Sequence, residues 1–467
     1  MTAPLIWLGI PLGAAGFFLL FVHTERGAAL AGGSLALSLS VLAAVLPVDT
    51  AISVLGFSFR VDSSMQILGR SFQLAGSDQL MLVMVYALVA VWFYAAVASG
   101  IARRIVALGF AITALLVSSL AVEPFLYAAL LIEAAVLIAV PLLSPPDQPP
   151  GRGVLRFVIF QTLAMPFILL AGFLLSGVEA SPGDLQLVLH AAALLGLGFA
   201  FLLAVFPFYA WIPLLCEEAH PYAVGFVLLL FPTVGLLFGL SFLDRYTFLR
   251  ESTSMHQFLT LTGLAMVLSG GLWAAFERHI GRLMGYALVL EVGLSIIAIS
   301  LPAGAPGISI LFLMIVPRAI ALLVWALSLT SIRNHVPSLR FSDLQGIARR
   351  LPVSSLGVAT ASLALAGAVL LASFPARLAL LEQTAAVSLS TSLWMGVGLL
   401  GLFVGALRAL AVFVMAPTGS PWETLETGRQ RLIIGMGIAV LFVLGLFPQW
   451  AAPLLIRVPS VFEHLGK

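Results

Sequence analysis

Two acidic residues lie alone in the middle of long apolar runs of this chain. Glu133 is the tenth residue of the run 124–143, and Glu291 is the ninth residue of the run 283–301. A charged side chain at the centre of a membrane costs at least about 2.5–3.5 kcal/mol, so such residues commonly mark an ion or proton pathway. The simpler interpretation is that each carboxylate reaches the interface or only fixes helix packing. We expect a pathway role for both.

Three basic groups accompany them in other apolar runs. Arg318 follows Pro317 in one run, Arg377 follows Pro375 in another, and His190 lies near the start of a third. An imidazole can relay protons near neutral pH. An arginine stays charged, so it can hold a carboxylate or a water chain, or bind the carbonyl group that Pro317 leaves without a partner. The predicted proton or ion pathway comprises Glu133, His190, Glu291, Arg318 and Arg377.

The composition places these residues in a membrane protein. Of the 467 residues, 61% are hydrophobic and 9% are charged, and the mean hydropathy is +1.14. Soluble domains are about 45–50% apolar and about 25% charged. The 22 basic and 20 acidic residues leave a net charge of +2, without a basic block that would bind nucleic acid. These values exclude a soluble enzyme and a nucleic-acid-binding protein, and they indicate a chain that crosses the lipid bilayer many times.

About fourteen transmembrane helices are expected, because a bilayer core of about 30 Å needs about 20 apolar residues per crossing. Two helices should be interrupted: span 7, which contains Pro207 and Pro213, and span 12, which is broken near Pro375. The expected fold class is therefore an all-α membrane protein with interrupted helices in spans 7 and 12. The predicted spans are 3–22, 28–47, 79–99, 105–122, 124–143, 157–176, 185–212, 221–242, 256–276, 283–301, 307–331, 353–388, 391–415 and 432–452.

Paired interruptions, one in each half, are typical of a transporter built from two related repeats. We expect residues 1–100 to hold helices 1–3 with an external hairpin loop at 48–78, where polar and apolar residues alternate. The first five-helix repeat should cover 101–243 and the second 254–415. Residues 416–467 should hold an amphipathic loop, the last helix and the tail.

The basic residues predict the orientation. Loops after odd-numbered spans hold 13 of the 22 basic residues, and loops on the other side hold 6. Because cytoplasmic loops carry the excess of arginine and lysine, both termini are expected outside the cytoplasm of a cell inner (cytoplasmic) membrane.

Motifs for catalysis or cofactor binding are not readable in the sequence. The single cysteine, Cys216, excludes a disulfide framework and a cysteine-based zinc or iron–sulfur site. His190 is the only histidine well inside a predicted span, which does not support haem ligation by paired histidines. P-loop, HExxH and Ser-His-Asp patterns are not found. We therefore expect no cofactor in this chain.

Several motifs resemble those of one family when their order is considered. Span 7 and its loop read GFAFLLAVFPFYAWIPLLCEEAHPYAVGF, span 10 begins GRLMGYALVLEVG, DLQGIARRLP (343–352) precedes the second interruption, and LGLFPQWAAPLL (444–455) ends the last span. Over about 79–452 the chain resembles the antiporter-like subunits of respiratory complex I and of related membrane-bound hydrogenases and Mrp antiporters. The matched positions in spans 7 and 10 are Gly198, Phe199, Phe206, Pro207, Phe208, Trp211, Pro213, Glu218, Ala219, Pro221, Arg282, Leu283, Tyr286 and Gly293.

The resemblance implies fourteen core helices, two inverted five-helix repeats (spans 4–8 and 9–13) and a central axis of charged residues. Glu133 matches the family glutamate of span 5. Arg318 matches the family lysine of span 11, and Arg377 matches the lysine or glutamate that follows the second interruption. Glu291 occupies a position where the family has His, Gln or Asn. Leu202 stands at the family's span-7 lysine, so the first half lacks its usual titrating group. The span-8 lysine or histidine falls near Phe231 and Pro232.

Three functions are consistent with this resemblance. In the first, the chain is a non-catalytic subunit of a larger oxidoreductase, complex I-like or hydrogenase-like, that conducts protons or couples redox energy to ion translocation. Its partners would be further antiporter-like subunits and a redox module carrying the electron-transfer and quinone chemistry. In the second, it is a degenerate structural subunit that does not pump, as Leu202 and Phe231 suggest. In the third, it is a cation/proton antiporter or an inorganic-carbon uptake subunit.

Overall fold

The computed structural model describes residues 2–54, 57–67, 69–144, 149–180, 185–302, 306–415, 422–450 and 452–465, and within these ranges it is mainly helical. Eleven helices of the described chain are long and apolar enough to cross a membrane. Three shorter apolar helices accompany them, at Leu5–Phe21, Gln186–Leu202 and Pro352–Leu365. The chain is thus a multi-pass, all-α membrane protein, as expected. The first part of the predicted C-terminal loop, 416–421, lies outside the described residues.

The helices follow the predicted spans closely. They are α1 (Ile10–Phe21, continuing a π-helical turn at Leu5–Gly9), α2 (Glu25–Val45), α3 (Gln79–Ala95), α4 (Ala102–Ala121), α5 (Ala128–Leu143), α6 (Arg152–Ala180), α7 (Leu185–Leu202), α8 (Trp211–Glu218), α9 (Pro221–Arg245), α10 (Thr247–Arg250), α11 (Thr253–Phe276), α12 (Ile280–Ile299), α13 (Gly307–Arg333), α14 (Pro352–Leu365), α15 (Phe374–Val387), α16 (Leu389–Val414), α17 (Gly428–Leu446) and α18 (Ala452–Leu455).

The alternating segment before α3 forms two short hairpins. Strand β1 (Ala51–Val54) pairs antiparallel with β2 (Phe57–Arg60), and β3 (Ser64–Ile67) pairs antiparallel with β4 (Arg70–Gln73). A two-residue strand after α4, β5 (Val122–Glu123), extends the second hairpin. The second hairpin therefore attaches the first loop to the first predicted repeat.

The first interruption separates α7 from α8. The chain turns sharply after Leu202, where Ala204 has a positive φ of 51° and the Phe206–Pro207 peptide bond is cis. Pro207 lies within this gap, whereas Pro213 lies in the first turn of α8, where a proline is tolerated. Pro213 thus belongs to the restart of the helix and not to its interruption.

The second interruption separates α14 from α15. It spans 366–373, with positive φ values at Gly367 (82°) and Leu370 (72°). Pro375 is the second residue of α15, a position that suits its fixed φ and its missing N–H. A Cβ atom at Gly367 would lie 2.7 Å from Cδ of Arg377, so glycine serves here both the backbone angle and the close approach of that arginine.

Small residues bring the helices of the second half close together. A Cβ atom added to Gly398 of α16 would lie 2.5 Å from the carbonyl oxygen of Val267 in α11. Gly271 of α11 faces the backbone of Gly398 equally closely. Since lipid tails are as apolar as the side chains, such close backbone packing is a main source of helix association in membranes. Helices α12 and α13 are the most completely buried of the candidate spans, and they carry the residues described next.

Candidate functional site

Three charged side chains meet in the interior of the second half of the chain. Glu291 projects from α12, Arg318 from α13 and Arg377 from α15. Nε of Arg318 lies 2.9 Å from Oε2 of Glu291, and Nη2 of Arg377 contacts the other carboxylate oxygen, Oε1. Each side chain is only 2–3% exposed. We call this group the Glu291 cluster; it consists of Glu291, Arg318 and Arg377.

Arg318 is fixed entirely from α12. Besides the carboxylate, its Nη2 donates to the Glu291 carbonyl oxygen at 3.1 Å and to the Ser295 hydroxyl at 2.5 Å. The guanidinium therefore holds one helical turn of α12, and its hydrogen bonds within the described chain do not reach the carbonyl left free by Pro317. Of the two roles considered for Arg318, the structure favours ion pairing over backbone repair.

Arg377 reaches the cluster because α14 and α15 are separated. It is the fourth residue of α15, and the interruption before that helix brings its first turn into the interior. Its aliphatic part packs against Gly367. Nε and Nη1 of Arg377 are buried and have no hydrogen-bond partner among the described residues.

The cluster is electrostatically uneven. With Glu291 ionised, one negative charge faces two permanent positive charges, because arginine does not lose its proton in proteins. Within the described chain, Glu291 is the only carboxylate paired with either arginine. The buried centre therefore carries a net charge of +1, and it can stabilise or repel a moving ion without itself releasing a proton from its arginines.

The corresponding region of the first half is mostly apolar. Leu202 and Phe231, which the resemblance predicts to occupy the family's lysine and lysine-or-histidine positions, are each 3% exposed. The aromatic rings of Phe160, Phe201 and Phe208 pack beside the interruption, with centroids 4.5–6.1 Å apart. Nε2 of Gln161 donates to the Leu202 carbonyl oxygen at 3.1 Å. A neutral amide thus satisfies the carbonyl group at the end of α7.

Glu133 and His190 lie apart from the Glu291 cluster. Oε1 of Glu133 accepts a hydrogen bond from the Thr162 hydroxyl of α6 at 2.7 Å, and its Oε2 is buried without a partner in the described chain. His190 lies on an exposed face of α7. The structure therefore unites three of the five predicted pathway residues, leaves Glu133 partly buried in the first half, and directs His190 away from the interior.

A second polar group lies at the ends of α8 and α12. Nε of Arg282 lies 2.6 Å from Oε2 of Glu217, and Oε2 of Glu218 accepts from the Gly153 amide at 2.7 Å. Both glutamates are half-buried, and both anchor other elements. Arg282, the partner of Glu217, belongs to the span-10 motif.

Two histidines beside this group carry lowered pKa values. Burial, reinforced by the positive charges of Arg333 and Arg104, lowers the pKa of His220 to about 4. Burial also lowers the pKa of His279, which caps the start of α12 through the Arg282 amide. Both imidazoles therefore stay neutral at physiological pH.

A metal site is not among the features of the described chain, which contains no group of three or more His, Cys, Asp or Glu side chains placed to hold an ion. The residues that sequence analysis missed are uncharged: Ser295, Thr162 and Gln161. Nothing in their sequence spacing distinguishes them from other polar residues in apolar helices. Their positions became evident only through the charged or carbonyl groups that they bind.

Comparison with known proteins agrees with this architecture. The chain is 26% identical over 364 residues to NADH-quinone oxidoreductase subunit N of Laribacter hongkongensis, covering 73% of each chain. It is 28% identical over 320 residues to the subunit of the same name from Cereibacter sphaeroides, covering 65% of this chain and 68% of the relative.

Solved structures show the same fold. A chain of respiratory complex I from Thermus thermophilus matches with a TM-score of 0.76 and 21% identity, over 99% of this chain and 100% of that chain. A chain of the Mrp complex from Dietzia sp. DQ12-45-1b matches with a TM-score of 0.80 and 15% identity, over 100% and 97%. Residues 157–403, more than half of the chain, match the family model described as NADH:quinone oxidoreductase/Mrp antiporter, TM. The chain therefore belongs to the NADH:quinone oxidoreductase/Mrp antiporter transmembrane family.

Proposed function

We propose that this chain is a membrane subunit of a complex I-like assembly and that its second half handles protons through the Glu291 cluster. The observation that carries the proposal is the burial of one carboxylate between two guanidinium groups beside an interrupted helix. Isolated charges at such depth are costly and are kept where ions are moved or sensed. The chain itself would carry no redox cofactor, and its partners would be further membrane subunits and a redox module.

The chemistry of the cluster favours an electrostatic role over a proton-relay role. Arginine holds its proton, so Arg318 and Arg377 act as fixed charges. A membrane potential performs about 2.3 kcal/mol of work per unit charge per 100 mV. A change in field or hydration that weakens either contact of Glu291 would therefore alter the energy of a proton passing this centre. Redox chemistry on other subunits could supply that change.

The first half is proposed to conduct poorly or not at all along its central axis. Leu202 and Phe231 leave that region without the family's charged groups, and aromatic rings fill the space beside the interruption. This observation favours the second candidate function, a structural subunit that no longer pumps. The third candidate, an antiporter or inorganic-carbon uptake subunit, shares the scaffold.

Location and orientation follow as further proposals. The loop arginines support an inner-membrane protein with both termini outside the cytoplasm. The exposed apolar faces of α16 and α17 suit contact with lipid or with neighbouring membrane subunits.

Proton uptake by the reconstituted parent complex during redox turnover tests the proposal. Glu291→Gln should reduce uptake per electron while the set of co-purified subunits stays complete. The matched control is Glu382→Gln, because Glu382 is an exposed carboxylate on α15, and it should leave uptake unchanged. Unchanged uptake in Glu291→Gln would instead support the structural subunit. Flux that requires sodium or bicarbonate and needs only this chain would support the antiporter or carbon-uptake function.

A further inference from the structure

Arg377 presents hydrogen-bond donors without a partner among the described residues. Its Nη2 contacts Glu291, whereas Nε and Nη1 are buried and unpaired within that part of the chain. These two nitrogens carry three N–H groups. Leaving a buried donor unsatisfied costs about 1–3 kcal/mol, and more when the group is charged.

The excess charge of the cluster is shared by two guanidinium groups. Glu291 contacts both Arg318 and Arg377, so with Glu291 ionised one positive charge of the cluster has no counter-charge among the described residues. Burial of an uncompensated charge costs several kcal/mol. The unpaired donors of Arg377 and the excess positive charge thus occur in the same buried cluster.

Arg377 cannot avoid this cost by reaching toward the interface. Its Cδ lies so close to Gly367 that even a Cβ atom there would be only 2.7 Å away. The contact with Glu291 holds the other end of the side chain, which is 3% exposed. The guanidinium is therefore fixed, with its free donors directed into the protein interior.

We propose that the unused nitrogens of Arg377 bind one small monovalent anion of the halide class, such as chloride. An anion accepts hydrogen bonds from several N–H groups and neutralises the cluster at the same time. Because the Glu291 cluster has one excess positive charge, a monovalent anion would neutralise it. Because the surroundings of the guanidinium are closed, a small anion fits best. The proposal depends on the charge of the Glu291 cluster and not on proton conduction, so it holds for a pumping or a structural subunit.

The test uses the purified parent complex in a sulfate buffer without halide. Addition of bromide or chloride should raise its apparent unfolding temperature, and the response should be at least tenfold weaker in Arg377→Gln. The control is Arg431→Gln, because Arg431 is exposed on α17, and it should keep the full response. Equal halide responses of the wild type and Arg377→Gln would overturn the proposal.

Two further measurements keep the proposal testable if Arg377→Gln does not fold. Arg318→Gln retains the donors of Arg377 but removes the excess charge, so its halide affinity should fall at least tenfold. In crystals of the wild-type complex grown with bromide, an anomalous peak should lie within hydrogen-bond reach of Nε or Nη1 of Arg377. Absence of that peak, or undiminished affinity in Arg318→Gln, would refute the anion site whatever the result of the proton-uptake experiment.

Discussion

Replacing Glu291 should destabilise the protein more than replacing either arginine that contacts it. With Glu291 ionised, the wild-type cluster has a net charge of +1. Glu291→Gln raises this charge to +2 and leaves two guanidinium groups facing each other. Arg318→Gln and Arg377→Gln each leave one carboxylate paired with one guanidinium, so the cluster becomes neutral. A buried pair of one carboxylate and one guanidinium would show no such difference between the costs of replacing its two partners.

The geometry sets the size of the effect. Unit charges separated by the 2.9 Å between Arg318 Nε and Glu291 Oε2 attract by about 6 kcal/mol at an effective dielectric constant of about 20. Loss of one partner from a buried ion pair costs about 3–5 kcal/mol overall. We expect Glu291→Gln to cost about 5 kcal/mol, since both contacts are lost. Arg318→Gln should cost about 2 kcal/mol, because Glu291 keeps Arg377 as its partner.

The double variant Glu291→Gln/Arg318→Gln makes the test decisive. It restores the wild-type charge of +1, so its cost should be smaller than the sum of the two single costs by about 2 kcal/mol. The apparent unfolding temperature of the detergent-solubilised protein, measured by size-exclusion recovery after heating, gives the ranking. The control Glu382→Gln should match the wild type. Equal losses in Glu291→Gln and Arg318→Gln, or strictly additive losses in the double variant, would refute the charge argument.

Three other predictions concern different parts of the fold. The pKa of His220 is lowered to about 4, so below about pH 6.5 the unfolded chain takes up a proton that the folded chain does not. Up to about 3 kcal/mol of stability should therefore be lost between pH 6.5 and 4. His220→Gln should flatten this loss in a pH series of unfolding temperatures. Gly398→Ala should destabilise the α11–α16 contact by about 1–3 kcal/mol. Gly396→Ala should be neutral, because no atom lies within 4 Å of a Cβ there. The unfolding temperatures of the two variants, measured side by side, compare them. Leu202→Lys should cost at least about 2.5–3.5 kcal/mol and reduce the amount recovered from membranes relative to Leu202→Met, with no gain in proton uptake; normal recovery would show that water reaches this position.

The sequence predicts the charged centre better than it predicts the partners within it. Isolation in an apolar run identifies Glu291 and Arg318, and position after Pro375 at the second interruption identifies Arg377. Their meeting depends on the crossing of α12 and α13 and on the turn at Gly367, which places the first turn of α15 inside the bundle. Hydrophobic periodicity contains no information about either. Ser295 could not be selected for the same reason.

The remaining differences have local physical causes. His190 has the same apolar neighbours in sequence as a buried residue would have, but lipid-facing and protein-facing sides of a membrane helix are both apolar, so sequence cannot separate them. Pro213 resembles a helix breaker, yet a proline in the first turn fits the start of α8. The described chain has eleven helices long and apolar enough to cross a membrane and three shorter apolar helices, so the count of fourteen crossings stays a prediction.

The two halves are unequal in charge but are joined through their backbones. Helix α8 of the first half packs against α12, where a Cβ atom at Gly285 would lie 2.7 Å from Cα of Pro213 and one at Gly281 would lie 2.4 Å from the Cys216 carbonyl oxygen. Contacts this close leave no side chain to absorb a displacement, so a shift of α8 must move α12 and with it Glu291. The apolar residue Leu202 therefore does not make the first half dispensable. Helix α8 packs directly against the helix that carries Glu291 and so supports the position of the Glu291 cluster.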